Sequence, residues 1–161
     1  MEDIKIKEVS ISEQRASVSL LMQGLQESEQ GFFNKSASWY EIETSYLRHL
    51  ITMQEENDGT CLVAYHNNAA VGFIFGYIEE PDDSRIEIAT GKELYISDGY
   101  VLPSYRKKGI YKKLNEWIER KYIQQGVRRI TRFTLVNNEP MKSFLSNRGY
   151  SPTRILFEKW L

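Results

Sequence analysis

The sequence predicts an α/β fold of the α+β type, in which a mixed, mostly antiparallel sheet is flanked by about four helices. Short apolar runs bounded by turn residues indicate strands, and apolar stripes that follow capping residues indicate helices. These segments follow the order β-α-α-β-β-β-α-β-α-β. Consecutive strands favour antiparallel hairpins, whereas strands separated by a helix need crossovers, so both kinds of pairing are expected in one sheet.

Length and composition place the chain among ordinary globular proteins. It has 161 residues, of which 41% are hydrophobic and 27% charged, and no linker, repeat or low-complexity segment divides it. We therefore expect one domain over residues 1–161. No apolar run approaches the ~18 residues of a membrane span, and the first ten residues lack a signal-peptide core, so a cytoplasmic protein without membrane contact is expected. One cysteine and two histidines argue against a metal site.

The first part of the chain carries two helix-start signals and several strands. Ile4 and Ile6 alternate with lysines and predict a short strand. Ser10 with Glu13, and Ser38 with Glu41, have the spacing of capping boxes, each of which would open a helix. The turn at 57–59 precedes a run of predicted strands: Thr60 to Tyr65, Ala70 to about Ile78, and Glu93 to Leu102.

The second part predicts two more helices between strands. A long helix should cover Lys108 to Gln125, with Gly126 as its C-terminal cap. A strand from Val127 to Val136 follows, and Asn138 with Pro140 indicates the start of a shorter helix. The last predicted strand is Ile155 to Trp160.

The segment from Leu94 to Leu114 carries the chemistry. A strand ends at Leu102, a basic loop follows, and Gly109 stands where the long helix begins. Such a junction directs several free backbone N–H groups to one place, and the helix dipole adds positive charge, which favours an anion. Lys107 and Lys108 would strengthen this anion site. The alternative is an ordinary strand-to-helix turn with a solvated run of charge.

This segment resembles the acetyl-CoA-binding motif of the GNAT superfamily of N-acetyltransferases. The family signature is Gln/Arg-x-x-Gly-x-Gly/Ala after a strand that ends in Val-x-Pro, and here Val101-Leu102-Pro103 precedes Arg106-Lys107-Lys108-Gly109-Ile110-Tyr111. A later family motif, Asn-x-x-Ala followed by Phe-Tyr-x-x-x-Gly-Phe, is similar to Asn138, Met141, Phe144 and Gly149-Tyr150. The element order also matches the family along essentially the whole chain.

The resemblance implies a role for each matching position. The amides of Lys107 to Tyr111 would hold the pyrophosphate of coenzyme A, with the other cradle positions being Arg106, Lys108, Gly109 and Ile110. Tyr100 and Val101 would pair with the pantetheine arm like an added strand, and an amide there, that of Val101, would stabilise the oxyanion. Gly99 would mark a bulge or a close approach of the ligand. Asn138 would contact the arm from the neighbouring strand end.

Two positions depart from the family pattern. Tyr111 replaces the final Gly or Ala of the signature, so its ring must point away from the pyrophosphate or line its pocket. Leu145 stands where many relatives carry a tyrosine that protonates the leaving thiolate. The resemblance therefore leaves the general acid unassigned.

Acyl transfer to an amine also needs a base, because an alkyl ammonium has a pKa near ~10. Asp98 is the candidate, since it lies on the strand beside the expected thioester. It could equally be a carboxylate that is hydrogen-bonded to a bulge or a neighbouring loop. A water chain that ends on Glu93 or Glu79 is a third option.

Aromatic and acidic residues favour a cationic acceptor. Four aromatic side chains lie where the family's first two helices shape the acceptor pocket, namely Phe32, Phe33, Trp39 and Tyr40. They serve either as core and loop-packing residues or as cation–π partners of an ammonium group. An acidic cluster that includes Asp82 and Asp83 could attract such a cation. A polyamine, a peptide lysine or an amino sugar would fit.

The sequence thus predicts an acyltransferase that moves acetyl from acetyl-CoA directly to a primary amine of a small molecule or peptide. The alternative is a non-catalytic acyl-CoA-binding or sensing module of the same fold. A nucleic-acid binder that uses the basic helix ranks lower, because the strands lack the exposed aromatic pattern that stacks bases. The acceptor, the acyl chain and the oligomeric state stay open, and a homodimer is compatible with the sequence.

Overall fold

The computed structural model describes residues 3–161, which contain one five-stranded sheet in the order β1-β2-β3-β4-β5. The strands β1 to β4 pair antiparallel with their neighbours, and β5 pairs parallel with β4. The prediction of a mixed, mostly antiparallel sheet flanked by helices is confirmed. The strands are β1 (Ile4–Val9), β2 (Thr60–His66), β3 (Ala69–Glu79), β4 (Glu93–Val101) and β5 (Ile130–Thr131).

Four α-helices flank the sheet. They are α1 (Arg15–Gln30), α2 (Trp39–Glu56), α3 (Ile110–Gln124) and α4 (Glu139–Ser146), and a short 3-10 helix covers Pro103–Tyr105. The capping box at the start of α2 is present: the Ser38 N–H donates to the Glu41 carboxylate at 2.9 Å. The box predicted at Ser10 does not start α1. The Glu13 N–H reaches the Ser10 hydroxyl at 3.4 Å, but residues 11–14 form turns and the helix begins at Arg15.

The two faces of the sheet carry separate hydrophobic clusters. On one face α1 and α2 pack through residues such as Leu21, Leu47 and Phe73. On the other face α3 packs through Leu114 and Ile118 against the sheet. Because successive side chains of a strand point to opposite faces, β4 contributes to both clusters, and it separates the two sides of the molecule.

The centre of β4 contains a bulge. Gly76 faces Ile96 and Phe75 faces Asp98, so Ser97 has no partner on β3. The bulge predicted as one option for Gly99 is therefore two residues away from it. An extra residue shifts the alternation of the strand, which re-aims the side chains that follow.

The C-terminal part departs most from the sequence prediction. The strand expected over Val127 to Val136 is reduced to the two residues of β5, and the strand expected over Ile155 to Trp160 does not form, since residues 151–161 pair with no strand. A strand exists only where a neighbour completes its ladder, so an apolar run is not sufficient. After β5 the Arg132 side chain bonds to α3, which takes the chain out of the sheet plane. No helix within residues 3–161 is long and apolar enough to span a membrane.

Candidate functional site

The junction between β4 and α3 forms a cradle of free amides, which we define as residues 107–112. None of these N–H groups donates to an oxygen within residues 3–161, and the first helical bond of α3 runs from Lys113 N to Gly109 O at 3.1 Å. Lys107 and Gly109 have left-handed backbones, with φ of 61° and 76°. These two turns direct consecutive amides to one side, where the α3 dipole adds positive charge.

The basic side chains beside the cradle have structural contacts of their own. The Arg106 Nε donates to the Val101 carbonyl at 2.9 Å, and its guanidinium lies 5.2 Å from the centre of the Tyr100 ring. The Lys108 Nζ donates to the Ser104 carbonyl at 2.9 Å. Arg106 thus ties the loop to the end of β4, and the anion-binding capacity of the cradle comes mainly from backbone amides.

The edge of β4 that faces away from β3 is open over Ile96 to Val101, and we call this stretch the open edge. Only Leu94 and Tyr95 pair with β5. Leu102 N donates to Val71 O at 2.9 Å, and because backbone groups alternate along an antiparallel strand, the N–H groups of Gly99 and Val101 point to the open edge. An extended molecule could add there as a further strand.

The Tyr111 ring packs against Gly99 on the α3 side of β4. A Cβ on Gly99 would lie 2.6 Å from the Tyr111 hydroxyl, so the close approach predicted at this glycine is made by a side chain of the protein itself. The Tyr111 hydroxyl accepts a hydrogen bond from the Arg132 guanidinium, and its ring lies 5.0 Å from that of Phe144. Tyr111 therefore points inward, away from the cradle.

On the opposite face of β4, Asp98 is buried beside α2. The Tyr46 hydroxyl donates to Asp98 at 2.9 Å from Oδ1, and the Ser97 hydroxyl donates to Oδ2 at 2.5 Å. Burial raises the pKa of Asp98, and these two donors offset only part of the rise. Such a carboxyl accepts a proton more readily than an ordinary aspartate does, as a base requires. The bond from the bulged Ser97 also fits the structural reading, so the base role remains a proposal.

Glu29 at the end of α1 is a neighbour of Asp98 that the sequence did not single out. Burial raises the pKa of Glu29, and the negative charge of Asp98 raises it further. The same two carboxyls, together with burial, raise the pKa of Tyr95 to about 12. Glu29, Asp98, Tyr46 and Tyr95 thus form an acidic and aromatic group, which we call the acidic face.

The other acidic candidates have different surroundings. Glu93 is buried in a pair with Arg129, with N–O distances of 3.0 Å, and it accepts from Thr90, which makes it a poor base. Burial and the charge of Glu93 raise the pKa of Glu79. Asp82 caps a local turn by accepting from the Ser84 N–H at 2.8 Å, and both it and Asp83 are exposed.

The four candidate aromatic residues divide between core and surface. Trp39 is buried in the cluster under α1 and α2, and its Nε1 donates to Ser19 at 3.1 Å. Phe32 and Phe33 are half-buried in the loop between these helices, whereas Tyr40 is 92% exposed. The packing interpretation therefore holds for Trp39.

In α4, Asn138 is the N-cap. Its side chain accepts from the Met141 N–H at 3.2 Å, which leaves its amide group free to donate, and contact with the pantetheine arm stays a prediction. Leu145 is half-buried and supplies no proton. Tyr150 donates to Glu119, and burial raises its pKa, so this hydroxyl is committed to α3.

Four residues of the site were missed or passed over by sequence reasoning: Glu29, Tyr46, Tyr95 and Arg132. Tyr46 carried a signal, because it is the polar-tipped member of an otherwise apolar helical stripe. Arg132 carried another, because a tyrosine at position 111 needs a partner if it turns inward. Glu29 carried none, since only the packing of α1 against β4 brings it near Asp98.

Comparison with protein families identifies the chain. Residues 21–150 match the Acetyltransferase (GNAT) family, a range that includes the cradle, the open edge and the acidic face. The sequence matches no curated protein.

Solved structures show the same fold at low identity. AAC(6')-Iy, in complex with the bisubstrate analogue CoA-S-monomethyl-acetylneamine, is 15% identical with a TM-score of 0.69, and 99% of each chain is covered. The aminoglycoside 6'-N-acetyltransferase AAC(6')-Ih from Acinetobacter baumannii is 17% identical with a TM-score of 0.68 and the same coverage. A mutant of the BH1408 protein from Bacillus halodurans is 19% identical with a TM-score of 0.76, covering 98% of this chain and 99% of its own. On the family match, this chain belongs to the GNAT family of acetyltransferases.

Proposed function

We propose that the protein transfers an acetyl group from acetyl-CoA directly to a primary amine. The observation that carries this proposal is the placement of three features around one strand. β4 has a cradle of free amides at its end, an open edge with outward N–H groups, and a buried carboxyl on its α1/α2 face. Together they supply an anion site, a docking edge for an extended arm, and a base.

The donor half of the site would use backbone groups. The amides of Lys107 to Tyr111 would bind the pyrophosphate, and the cradle fits because it needs no particular side chains. The pantetheine arm would lie along the open edge, with Tyr100 and Val101 beside it. The outward N–H of Val101 would stabilise the oxyanion when the amine attacks the thioester carbonyl.

The reaction needs two proton movements. Asp98 would accept a proton from the acceptor ammonium, directly or through water, and the free amine would then attack the carbonyl carbon. Collapse of the tetrahedral intermediate breaks the C–S bond and releases the thiolate of coenzyme A. Since Leu145 carries no acidic proton, the thiolate would leave as an anion or take its proton from water.

The acidic face supports a cationic acceptor. Glu29 and Asp98 place two carboxyls close enough to influence each other, and Tyr46 and Tyr95 add aromatic faces to which an ammonium group is attracted. Amino sugars and polyamines have this chemistry. Two of the structural neighbours are described as acting with aminoglycoside ligands or substrates, which agrees with the same class.

The direct test is incubation with acetyl-CoA and a panel of polyamines, aminoglycosides, amino acids and lysine peptides, followed by mass spectrometry of the products. The variant Gly109→Asp puts a carboxylate and a strained backbone into the cradle and should abolish product formation. Gln124→Glu adds the same charge at the exposed far end of α3 and should leave it unchanged. Absence of any product with the wild-type protein, although acetyl-CoA binds, would contradict catalysis.

The acceptor class has a test of its own. Glu29→Gln should raise the KM for a cationic acceptor about tenfold and leave the KM for acetyl-CoA unchanged, because the neutral side chain no longer attracts the ammonium group. Asp83→Asn removes the same charge from an exposed loop and serves as the matched control. An equal response in both variants would mean that general surface charge, and not the acidic face, attracts the acceptor.

A non-catalytic acyl-CoA-binding module is the second candidate, and Leu145 is the observation that favours it. Leu145→Tyr would restore a phenolic hydroxyl on α4. A large gain in rate would identify an enzyme that lacks only this acid, whereas binding of acetyl-CoA without turnover in both forms would support the binding module.

A further inference from the structure

Tyr111 occupies the region into which the open edge faces. Its hydroxyl touches Gly99 on β4, and the same hydroxyl is bonded to Arg132, the first residue after β5. Since β4 and β5 pair only at Leu94 and Tyr95, these contacts make Tyr111 a bridge between two strands that have already separated. An extended molecule that adds to β4 at Gly99 would meet the ring.

The bridge is held mainly by polar contacts. Arg132 donates to both Tyr111 and the buried Asn115, and its guanidinium lies 5.8 Å from the centre of the Tyr111 ring. Asn115 in turn donates to Glu119 at 2.7 Å. Hydrogen bonds of this kind can be exchanged for bonds to water at small net cost, so a ring held by them can leave its place.

The backbone around Tyr111 leaves room for such a movement. It is the second residue of α3, directly after the cradle, and the space beside Gly109 is open, since a Cβ there would meet nothing within 4 Å. A change of its side-chain rotamer would move the ring without unfolding the helix.

We propose that Tyr111 closes the open edge in the free protein, and that it must swing out before the pantetheine arm of an acyl-CoA can bind along β4. This inference rests on the proposed function. The nucleotide half of the coenzyme meets only the cradle, so it binds whether the edge is open or closed. The affinity for the whole coenzyme is lowered in proportion to the fraction of molecules in the open state.

The test compares two ligands by isothermal titration calorimetry. Coenzyme A carries the arm, whereas 3′-phospho-ADP has the same pyrophosphate and adenosine without it. Tyr111→Ala should tighten coenzyme A binding at least about tenfold, as expected if the open state is populated at ~10% or less, and leave 3′-phospho-ADP binding unchanged. Tyr40→Ala, at an exposed position on α2, should change neither.

A second variant and a kinetic measurement avoid dependence on the packing of the alanine variant. Tyr111→Phe keeps the ring but loses the bond to Arg132, so a smaller tightening for coenzyme A alone is expected. In stopped-flow experiments with the wild-type protein, the observed rate constant for coenzyme A should reach a plateau as its concentration rises, because opening comes first. The rate constant for 3′-phospho-ADP should rise linearly over the same range.

Each other outcome overturns the proposal. If 3′-phospho-ADP binds but Tyr111→Ala leaves coenzyme A binding unchanged or weakens it, the ring does not obstruct the arm, and the proposed function stands without this inference. Equal tightening of both ligands would place the effect in the cradle and not at the open edge. If neither ligand binds the wild-type protein or the variants, the proposed function and the inference fail together.

Discussion

The two faces of β4 use the same packing device for different purposes. On the α1 side the ring of Tyr100 lies against Gly24, where a Cβ would be 2.6 Å from the ring; on the α3 side the ring of Tyr111 lies against Gly99 at the same distance from its hydroxyl. Tyr100 belongs to the hydrophobic cluster under α1 and α2, whereas Tyr111 is anchored by Arg132.

This difference shows how one strand can serve both as core and as a binding edge. A ring surrounded by apolar neighbours is fixed, because moving it would expose apolar surface and open a cavity. A ring anchored by a guanidinium can be exchanged for a ligand. The acidic face, with Asp98, lies on the fixed side, where a base can be positioned reproducibly.

The largest expected effect is on the acidic face. Asp98→Asn keeps the size and the hydrogen-bonded position of the side chain but cannot accept a proton, so kcat for acetyl transfer should fall by about 10²- to 10⁴-fold. Steady-state kinetics with the acceptor found by the product screen would measure this. Asp83→Asn is the control for a simple loss of charge. A kcat within a factor of two of the wild-type value would assign Asp98 a structural role only.

A smaller effect is expected where the two rings meet their glycines. Gly99→Ala should lower the free energy of unfolding by about 1–3 kcal/mol through overpacking against Tyr111. In a Tyr111→Ala background most of this cost should disappear, as measured by denaturant unfolding in a double-mutant cycle.

Gly24→Ala provides the matched comparison on the other face. It is also overpacked, against Tyr100, but its cost should be unchanged in the Tyr111→Ala background, because β4 separates the two sites. Coupling of Gly24 to Tyr111 would mean that the faces are not independent.

The pH dependence of the rate tests the bond between α2 and β4. The Tyr46 hydroxyl lowers the pKa of Asp98, so Tyr46→Phe should raise that pKa further. The acid limb of the kcat/KM profile, which reflects protonation of the base, should therefore move to higher pH. If Asp98 is not the base, the limb should keep its position while stability alone changes.

The smallest expected effect is on stability against pH. The folded pKa of Asp98 lies above its ordinary value of 3.8, so the folded state binds more protons than the unfolded state between the two values. Stability should therefore fall as pH rises through that interval. Asp98→Asn removes this contribution, and the difference in unfolding free energy between wild type and variant, measured from about pH 4 upward, should show it. A difference that rises or stays level would contradict the raised pKa.

Sequence reasoning located the elements that rest on local signals. The Ser38–Glu41 box, the turn at 57–59 and the glycine before α3 each depend on a few neighbouring residues, and the structure has all three. The strands β2, β3 and β4 were predicted to within one residue at each end. Continuous apolar runs and turn residues were sufficient there, because those strands are buried between helices on both faces.

Sequence reasoning was wrong where a distant partner decides the outcome. The segments Val127 to Val136 and Ile155 to Trp160 look like strands, but β5 has two residues and the C-terminal segment has no ladder. Ile155, Leu156 and Phe157 are each at least 79% exposed, so their apolar character found no place in the core. No local pattern reports whether a neighbouring strand is available.

By itself the sequence determined the family, the order of the main elements and the position of the cradle. The cradle follows from a glycine and a basic loop at a strand-to-helix junction, which needs no contacts from elsewhere. Only the tertiary structure decided the surroundings of β4. It brought Glu29 and Tyr46 to Asp98, enclosed Glu93 with Arg129, and turned Tyr111 inward to Gly99 and Arg132. These contacts join residues 17 to 69 positions apart or more, apart from the neighbours on β4 and α3, and long-range packing sets them.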